Sequence, residues 1–343
     1  MDSFEMKVIQ AEHGDALVVS YGKDPVYHLL VDGGPENAFP NLLSVLESLR
    51  QDGILILEAI VISHYDNDHI GGIIRLLRNA PDWLKINDIW FNGRKHISPS
   101  DSLGVNESDE LSFLIEKGGY FWNKAFDNKA VKANFGRSIR FNGGMDAWVL
   151  SPMQEQLNIL AKNMPDILKG DVEFLNYPKD RLGRKDVWPA PSIVDLASAN
   201  YVRDTSASNG SSIAIMLKFN EKNILLAADS FAEVVVKGIE EYWGNRIDVE
   251  VLKISHHGSQ ANTSDVLLKT IRCRRFIIST NGKIHAHPDQ SLIARLLSNI
   301  GHPEIIFNYH TSHTARWNQP PRGWPAYTTI YPCWNEPFVR VII

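Results

Sequence analysis

Apolar residues in the first third of the chain fall into short runs bounded by Gly, Asp or Pro. Residues 4–10 (FEMKVIQ), 16–22 (ALVVSYG) and 26–34 (VYHLLVDGG) are rich in Val, Leu and aromatic side chains, which predicts strands. Between 36 and 53 the spacing changes to that of a helix. Leu42, Leu43, Val45, Leu46 and Leu49 share one face and the run stops at Gly53. Residues 57–63 (LEAIVIS) read as a buried strand, 64–72 as a loop, and 72–80 as a short helix ending at Pro81.

From 92 to 205 the pattern is less regular and predicts an insertion or lid. It contains a helix at 107–118, an aromatic stretch at 118–126 (GGYFWNKAF), a strand at 145–152 and a helix at 153–163. A Pro- and charge-rich segment, 176–192, follows. Regular alternation returns at 211. Residues 211–219 and 222–230 predict a hairpin around 220–222. A helix (231–242), strand (248–255), helix (264–271), strand (275–280), helix (289–301) and strand (304–309) come next. The tail, 310–343, is rich in Trp, Pro and Tyr and is expected to supply closing strands. No internal repeat or low-complexity tract is present. Strands concentrated at both ends with helices between them predict a mixed α/β (α+β) fold, a four-layer αββα sandwich built as one domain over 1–343. A single parallel sheet fits less well, because the tight turn at 220–222 joins antiparallel neighbours.

Composition narrows the class. The 343 residues are 44% hydrophobic and 22% charged, ample for a large core and unlike a disordered chain. The net charge of −5 excludes a global positive field for nucleic acid but not a local basic patch. Two cysteines, Cys273 and Cys333, are too few for a disulfide framework. The acidic, strand-like N-terminus does not read as a signal peptide. No uncharged apolar run approaches the ~20 residues of a membrane span; the longest, 53–63, contains Glu58. A cytoplasmic protein with no membrane partner is the expectation.

The chemistry concentrates in 62–72, ISHYDNDHIGG. His64, Asp66, Asp68 and His69 crowd the end of an apolar run, where imidazole nitrogens and carboxylate oxygens can converge on divalent ions from a rigid strand. Gly71 and Gly72 are expected to let the chain turn sharply into a helix. Four candidate ligands in one loop are enough to begin two adjacent sites. A solvated polar loop is the plainer alternative, which the spacing and the preceding buried strand disfavour.

This loop resembles the His-x-His-x-Asp-His signature of the metallo-β-lactamase superfamily, with Asp66 in place of the second His. The variant is similar to the subgroup related to the hydrolase domain of the DNA-uptake channel protein ComEC. Four further stretches agree in order: LLVDGG (29–34), NGSSIAIMLKFNEKNILLAADS (209–230), LKISHHGS (252–259) and STNGKIHAHP (279–288). The resemblance covers about 1–91 and 205–300, not the insertion or the tail.

The resemblance implies the metallo-β-lactamase αββα fold and a dinuclear centre of two divalent ions held by His64, Asp66, Asp68, His69, Asp229 and His256. Asp229 would bridge them; its plainer role is a helix N-cap. His257 would orient the neighbouring ligand or contact substrate. Asp68, His257 and His287 are the expected catalytic groups, with His287 a proton donor or phosphate contact and His285 a lesser candidate. Asp32, Asn209 and Ser212 are expected to brace the ligands. The turn His13–Gly14–Asp15 lies on the same presumed edge. Two departures matter. Ala227 and Ala228 replace the usual Thr-Gly before the bridging Asp, and Asn209 with Ser211 and Ser212 stands where most members place a histidine. Carboxylate and amide oxygens in place of imidazoles shift the preference from Zn²⁺ toward Mn²⁺ or Mg²⁺, so Zn²⁺ or Mn²⁺ is expected.

Such a site suits phosphate esters. The sequence therefore predicts a phosphodiesterase or nuclease acting on DNA. Lys253, Lys283, Arg94 and Lys95 are candidate substrate-facing cations. The alternatives are a small-molecule phosphodiesterase for a cyclic nucleotide or phosphocholine ester, with Tyr120, Phe121, Trp122 and Trp188 as an aromatic lid, and a non-catalytic regulatory module of a defence complex. A partner protein from the same operon is a further expectation.

Overall fold

The computed structural model describes residues 2–97, 110–169, 187–198, 201–244 and 246–343. Seventeen strands follow in chain order: β1 (Ser3–Ile9), β2 (Leu17–Gly22), β3 (Val26–Val31), β4 (Leu55–Val61), β5 (Leu84–Ile86), β6 (Ile89–Trp90), β7 (Ile139–Arg140), β8 (Asp146–Ser151), β9 (Ala214–Phe219), β10 (Lys222–Leu226), β11 (Ile247–Asp248), β12 (Val251–Lys253), β13 (Ile271–Arg272), β14 (Arg275–Ile278), β15 (Glu304–Phe307), β16 (Thr328–Ile330) and β17 (Phe338–Ile342). One sheet has the order β17-β1-β2-β3-β4-β5, with β6 also on β4. The other runs β16-β15-β14-β12-β10-β9-β8-β7, and β11 pairs with β13 apart from both.

The period-2 pattern explains the layers. In β2, Leu17, Val19 and Tyr21 face the second sheet, while Val18 faces outward. In β3, Leu29 and Val31 point inward and Leu30 outward. Ile215, Leu217, Ile224 and Val251 meet them from the opposite sheet. Helices cover both outer faces. Leu42, Val45 and Leu46 of helix Phe39–Ser48 and Ile73, Leu76 and Leu77 of helix Asn67–Arg78 close one side. Helices Ala232–Trp243, Asp265–Thr270 and Gln290–Asn299 close the other. This is an αββα sandwich, the metallo-β-lactamase arrangement, and strands such as β2 and β9 are mostly apolar on both faces because both faces are covered. The hairpin β9–β10 is antiparallel, pairing Phe219 with Lys222. From the tail, β16 extends the second sheet beside β15 and β17 pairs with β1.

Boundaries differ from the sequence reading where the hydrophobic pattern is silent. The helix after β4 starts at Asn67, so His69, Gly71 and Gly72 lie inside it rather than in a loop. The two glycines do not make a turn. A Cβ on Gly72 would stand 2.0 Å from the Gly33 carbonyl oxygen, and one on Gly71 2.5 Å from the Glu36 nitrogen. Their role is to let the helix press against the 33–36 segment. The helix expected at 107–118 is seen as Glu110–Lys117, and the one at 153–163 continues to Lys169. Most of the Pro- and charge-rich segment lies outside the described residues. No helix among the described residues is long and apolar enough to cross a membrane.

Candidate metal centre

One end of the sandwich collects the loops that leave β3, β4, β10, β12 and β14, together with the turn that enters β2. The carboxyl ends of parallel strands are where open α/β sheets present binding groups.

Asp32 follows β3 in a left-handed conformation and is fully buried. Its Oδ1 accepts from the Ser63 backbone N–H at 2.7 Å and its Oδ2 from the Ser63 hydroxyl at 2.8 Å. The same Oδ2 lies 2.9 Å from His69 Nδ1, and a carboxylate there requires Nδ1 to carry the proton. Ser63 Oγ, its own proton given to Asp32, accepts from His64 Nδ1 at 2.8 Å. One carboxylate therefore sets the tautomer of both histidines and leaves each Nε2 with a free lone pair.

Those lone pairs converge on Asp229, which ends the β10 run after Ala227 and Ala228. Asp229 Oδ2 lies 3.9 Å from His64 Nε2, 3.6 Å from His69 Nε2, 3.7 Å from His256 Nε2 and 3.7 Å from His257 Nε2. Asp66 Oδ2 is 3.5 Å from His64 Nε2; Asp68 Oδ2 is 3.8 Å from His69 Nε2 and 3.3 Å from His257 Nε2. Two groups of potential ligand atoms result, His64–His69–Asp229 and Asp68–His69–His257, each mutually within 4.8 Å.

His256 and His257 both adopt left-handed backbone, with φ of 51° and 53°. That conformation costs about 1–2 kcal/mol at a residue with a Cβ. His257 Nδ1 donates to the Ser279 carbonyl at 3.0 Å. His256 Nδ1 faces Asn262 Oδ1 at 2.9 Å, and the amide of Asn262 is oriented by its donation to Asp204 Oδ2 at 3.0 Å and to the Asp229 carbonyl at 3.1 Å. The sequence reading placed His256 among the ligands and gave His257 an orienting or substrate role. In the structure His257 joins the group with Asp68 and His69, while His256 reaches Asp229 from another side.

Burial would raise the pKa of Asp229, but His256, His257 and His69 hold it well below the carboxylate range. Burial opposes a charge on His257, yet Asp229 and Asp15 push its pKa up to about 9. Against the same burial, Asp229, Asp68 and Asp32 raise that of His69. The pocket is built for positive charge among carboxylates.

Whether a divalent ion suits these residues is decided by what they leave unbonded. His64 Nε2, His69 Nε2, His257 Nε2 and both oxygens of Asp229 are buried and have no hydrogen-bond partner among the described residues. Such groups ordinarily find partners, and leaving them unpaired costs about 1–3 kcal/mol each. Imidazole nitrogens and carboxylate oxygens facing one another at these distances fit a divalent cation.

Other predicted residues sit further out. Asn209 lies in the short helix Ala207–Gly210 and its amide nitrogen donates to Asp204 Oδ2 at 2.7 Å. Ser208, unmarked in the sequence, reaches Asp66 Oδ1 with its hydroxyl at 2.6 Å. Ser212 is buried beside them, its carbonyl accepting from Ser230 Oγ. His287 is at the rim, its ring 6.0 Å from that of His256 and its Nδ1 3.2 Å from Asp289 Oδ1; His285 is 5.7 Å beyond it.

Two assignments are corrected. Lys253 does not face substrate: it is 1% exposed and ion-paired with Asp15. Trp122 is core rather than lid, stacked 6.1 Å from Phe91. Lys95 is exposed, ion-paired with Glu116 and 3.9 Å over the Trp122 ring. Asp204, Asn262 and Ser63 were missed. A serine directly before His64 was the available signal for Ser63; Asp204, in the irregular region, offered none.

Residues 12–82 match the metallo-beta-lactamase superfamily. The matched segment carries the His13–Asp15 turn, Asp32 and the His64–His69 loop. No curated protein matches the chain. Among solved structures, the metallo-beta-lactamase fold protein YhfI from Bacillus subtilis aligns over the whole of both chains at 10% identity and a TM-score of 0.41. A diphosphatase of the PhnP family aligns over all of this chain and 98% of its own, at 11% identity and a TM-score of 0.39. At such scores neither activity nor substrate transfers from them.

Proposed function

We propose that this chain is a metal-dependent phosphodiesterase of the ComEC-like type, acting on DNA. The observation that carries it is the buried Asp229 carboxylate, unpartnered and faced by four imidazole Nε2 atoms within 3.9 Å. Asp68, His69, His257 and Asp229 would hold one divalent ion, and His64, Asp66 and Asp229 a second. Two such cations supply Lewis-acid polarisation of a phosphate oxygen and activation of water.

The chain's own residues do the rest. Asp32 and Ser63 keep His64 and His69 in the ligating tautomer. Ser208 fixes Asp66. Carboxylates make up half of the donors on the His64 side or more, a harder set that favours Mn²⁺ alongside Zn²⁺ and phosphate over an amide substrate. At the rim His287, its Nδ1 held by Asp289, presents its other nitrogen to protonate a departing alkoxide. Lys283, exposed four residues before it in the chain, offers positive charge to a neighbouring phosphate, whereas burial lowers the pKa of His285 to about 4 and leaves that ring neutral.

The test is purification with metal analysis, then turnover of a chromogenic phosphodiester, linear DNA and a cyclic nucleotide by wild type and Asp68→Ala. The expected result is two bound divalent ions, cleavage of DNA, and a fall of at least about a hundredfold in Asp68→Ala. Equal turnover by both proteins would reject the site. Cleavage confined to the cyclic nucleotide would reject DNA and leave the small-molecule reading.

A further inference from the structure

A lysine inside an apolar strand is expensive unless something nearby answers its charge. Lys253 ends β12 between Leu252 and Ile254, both fully buried, and is itself 1% exposed. Its ammonium is bound to Asp15 Oδ2, and Asp15 is also fully buried. The pair joins the two halves of the sandwich, since Asp15 belongs to the turn entering β2 of the first sheet and Lys253 to the second sheet. A fold needing only cohesion would do as well with two apolar side chains here. The pair must therefore be explained by what the other carboxylate oxygen does.

Asp15 Oδ1 has no hydrogen-bond partner among the described residues and lies 3.4 Å from His257 Nδ1, the atom that also faces the Ser279 carbonyl. The turn is pressed hard against the metal loop. Asp15 N–H donates to the Asp68 carbonyl at 3.2 Å, the Asp15 carbonyl accepts from Gly34 N–H at 2.7 Å, and the Gly14 carbonyl accepts from Ser279 Oγ at 2.9 Å. A Cβ at Gly14 would stand 1.8 Å from the Asp68 carbonyl oxygen, so only glycine allows this approach. The carboxylate can neither rotate nor withdraw: Lys253 fixes one oxygen and the turn fixes the backbone. Asp15, Asp32 and His69 also lie within 4.8 Å of one another, but the Lys253 ammonium already neutralises Asp15, so this nook is not a third cation site.

We propose that Asp15 and Lys253 form a positioning pair for His257. The Asp15 carboxylate, 3.4 Å from His257 Nδ1, fixes the ring so that Nε2 faces the other ligand atoms, and the Lys253 ammonium holds that carboxylate in place. The inference rests on the metal-centre reading above and requires nothing of the substrate.

The experiment separates holding the fold from holding the ligand. Asp15→Asn, Lys253→Met and the double variant are compared with wild type by urea midpoint and by affinity for Zn²⁺ and Mn²⁺ in competition with a chelator. Each single variant leaves a buried group unpaired and lowers the urea midpoint. The double variant removes both charges and regains most of the midpoint, yet it binds the more weakly held ion 10- to 100-fold less tightly. A double variant with wild-type metal affinity would overturn the proposal, leaving the pair merely structural. Should the double variant not refold, folded Asp15→Asn decides: metal affinity about 10-fold or more below wild type is expected, and wild-type affinity refutes the idea. Wild type that binds no metal would instead sink the metal-centre reading itself, an outcome distinct from either.

Discussion

Asp32 shows how far one carboxylate can govern its surroundings: through Ser63 and directly, it dictates which nitrogen of His64 and of His69 is free. A histidine remote from the centre obeys the same physics with a different result. His28 on β3 is 3% exposed, with Nδ1 2.9 Å from Ser20 Oγ and Nε2 3.3 Å from the Gln51 amide nitrogen. The amide can only donate, so Nε2 accepts and the ring is neutral. Burial, with Lys7 adding to it, lowers its pKa to about 4. The unfolded chain takes up a proton below about 6.5 and the folded chain only near 4. Stability from this residue is therefore complete above pH 6.5 and is lost as the pH falls toward 4, in total by about 3 kcal/mol. Metal-free wild type should lose about 2–3 kcal/mol more between pH 7 and pH 4.5 than His28→Gln, measured by urea unfolding. Equal losses would mean that the ring titrates normally. Neither His28 nor Lys253 could be judged from sequence, because burial of a single polar residue depends on what crosses the sheet. His64, Asp66, Asp68 and His69 were legible because they are adjacent in the chain and their types share one chemistry.

Elements were legible wherever one face differs from the other. Most strands of both sheets and the helices on their outer faces follow from apolar spacing, whereas β5, β6 and β7, of two or three residues each, are too short to show a period. The segment at 64–72 defeated that logic, because its polar residues serve a site and give no periodicity; what distinguishes helix from loop there is contact with the 33–36 segment, far away in sequence. Gly72 is the test of that contact. Gly72→Ala would put a methyl group 2.0 Å from a backbone oxygen that cannot step aside, and overpacking of this kind costs about 1–3 kcal/mol or more. The urea midpoint should fall accordingly. Gly301→Ala, where nothing lies within 4 Å, should leave it unchanged or raise it slightly. If both variants unfold alike, the close packing of helix Asn67–Arg78 is not what the glycine is for.

At the scale of the molecule, the candidate centre is also a joint. Asp32, His64 and Asp66 come from loops of the first sheet, Asp68 and His69 from the helix that follows β4, and Asp229, His256 and His257 from the second sheet. Their free atoms meet only when the sandwich is closed, so the unfolded chain has no equivalent binding site. A ligand that binds the folded state alone stabilises it by an amount set by its concentration, about 2.7 kcal/mol at a hundred times its dissociation constant. For a chain of this size that corresponds to a rise of about 4 °C in Tm. Thermal unfolding with saturating Zn²⁺ or Mn²⁺ and again after exhaustive chelation should show that difference in wild type. In Asp229→Ala, which removes the carboxylate that all four imidazole Nε2 atoms face, the two curves should coincide. Were the chelated and loaded wild-type proteins to melt together, the residues at the junction would be holding the sheets by hydrogen bonds alone, and the unpartnered atoms of Asp229, His64, His69 and His257 would need some other occupant.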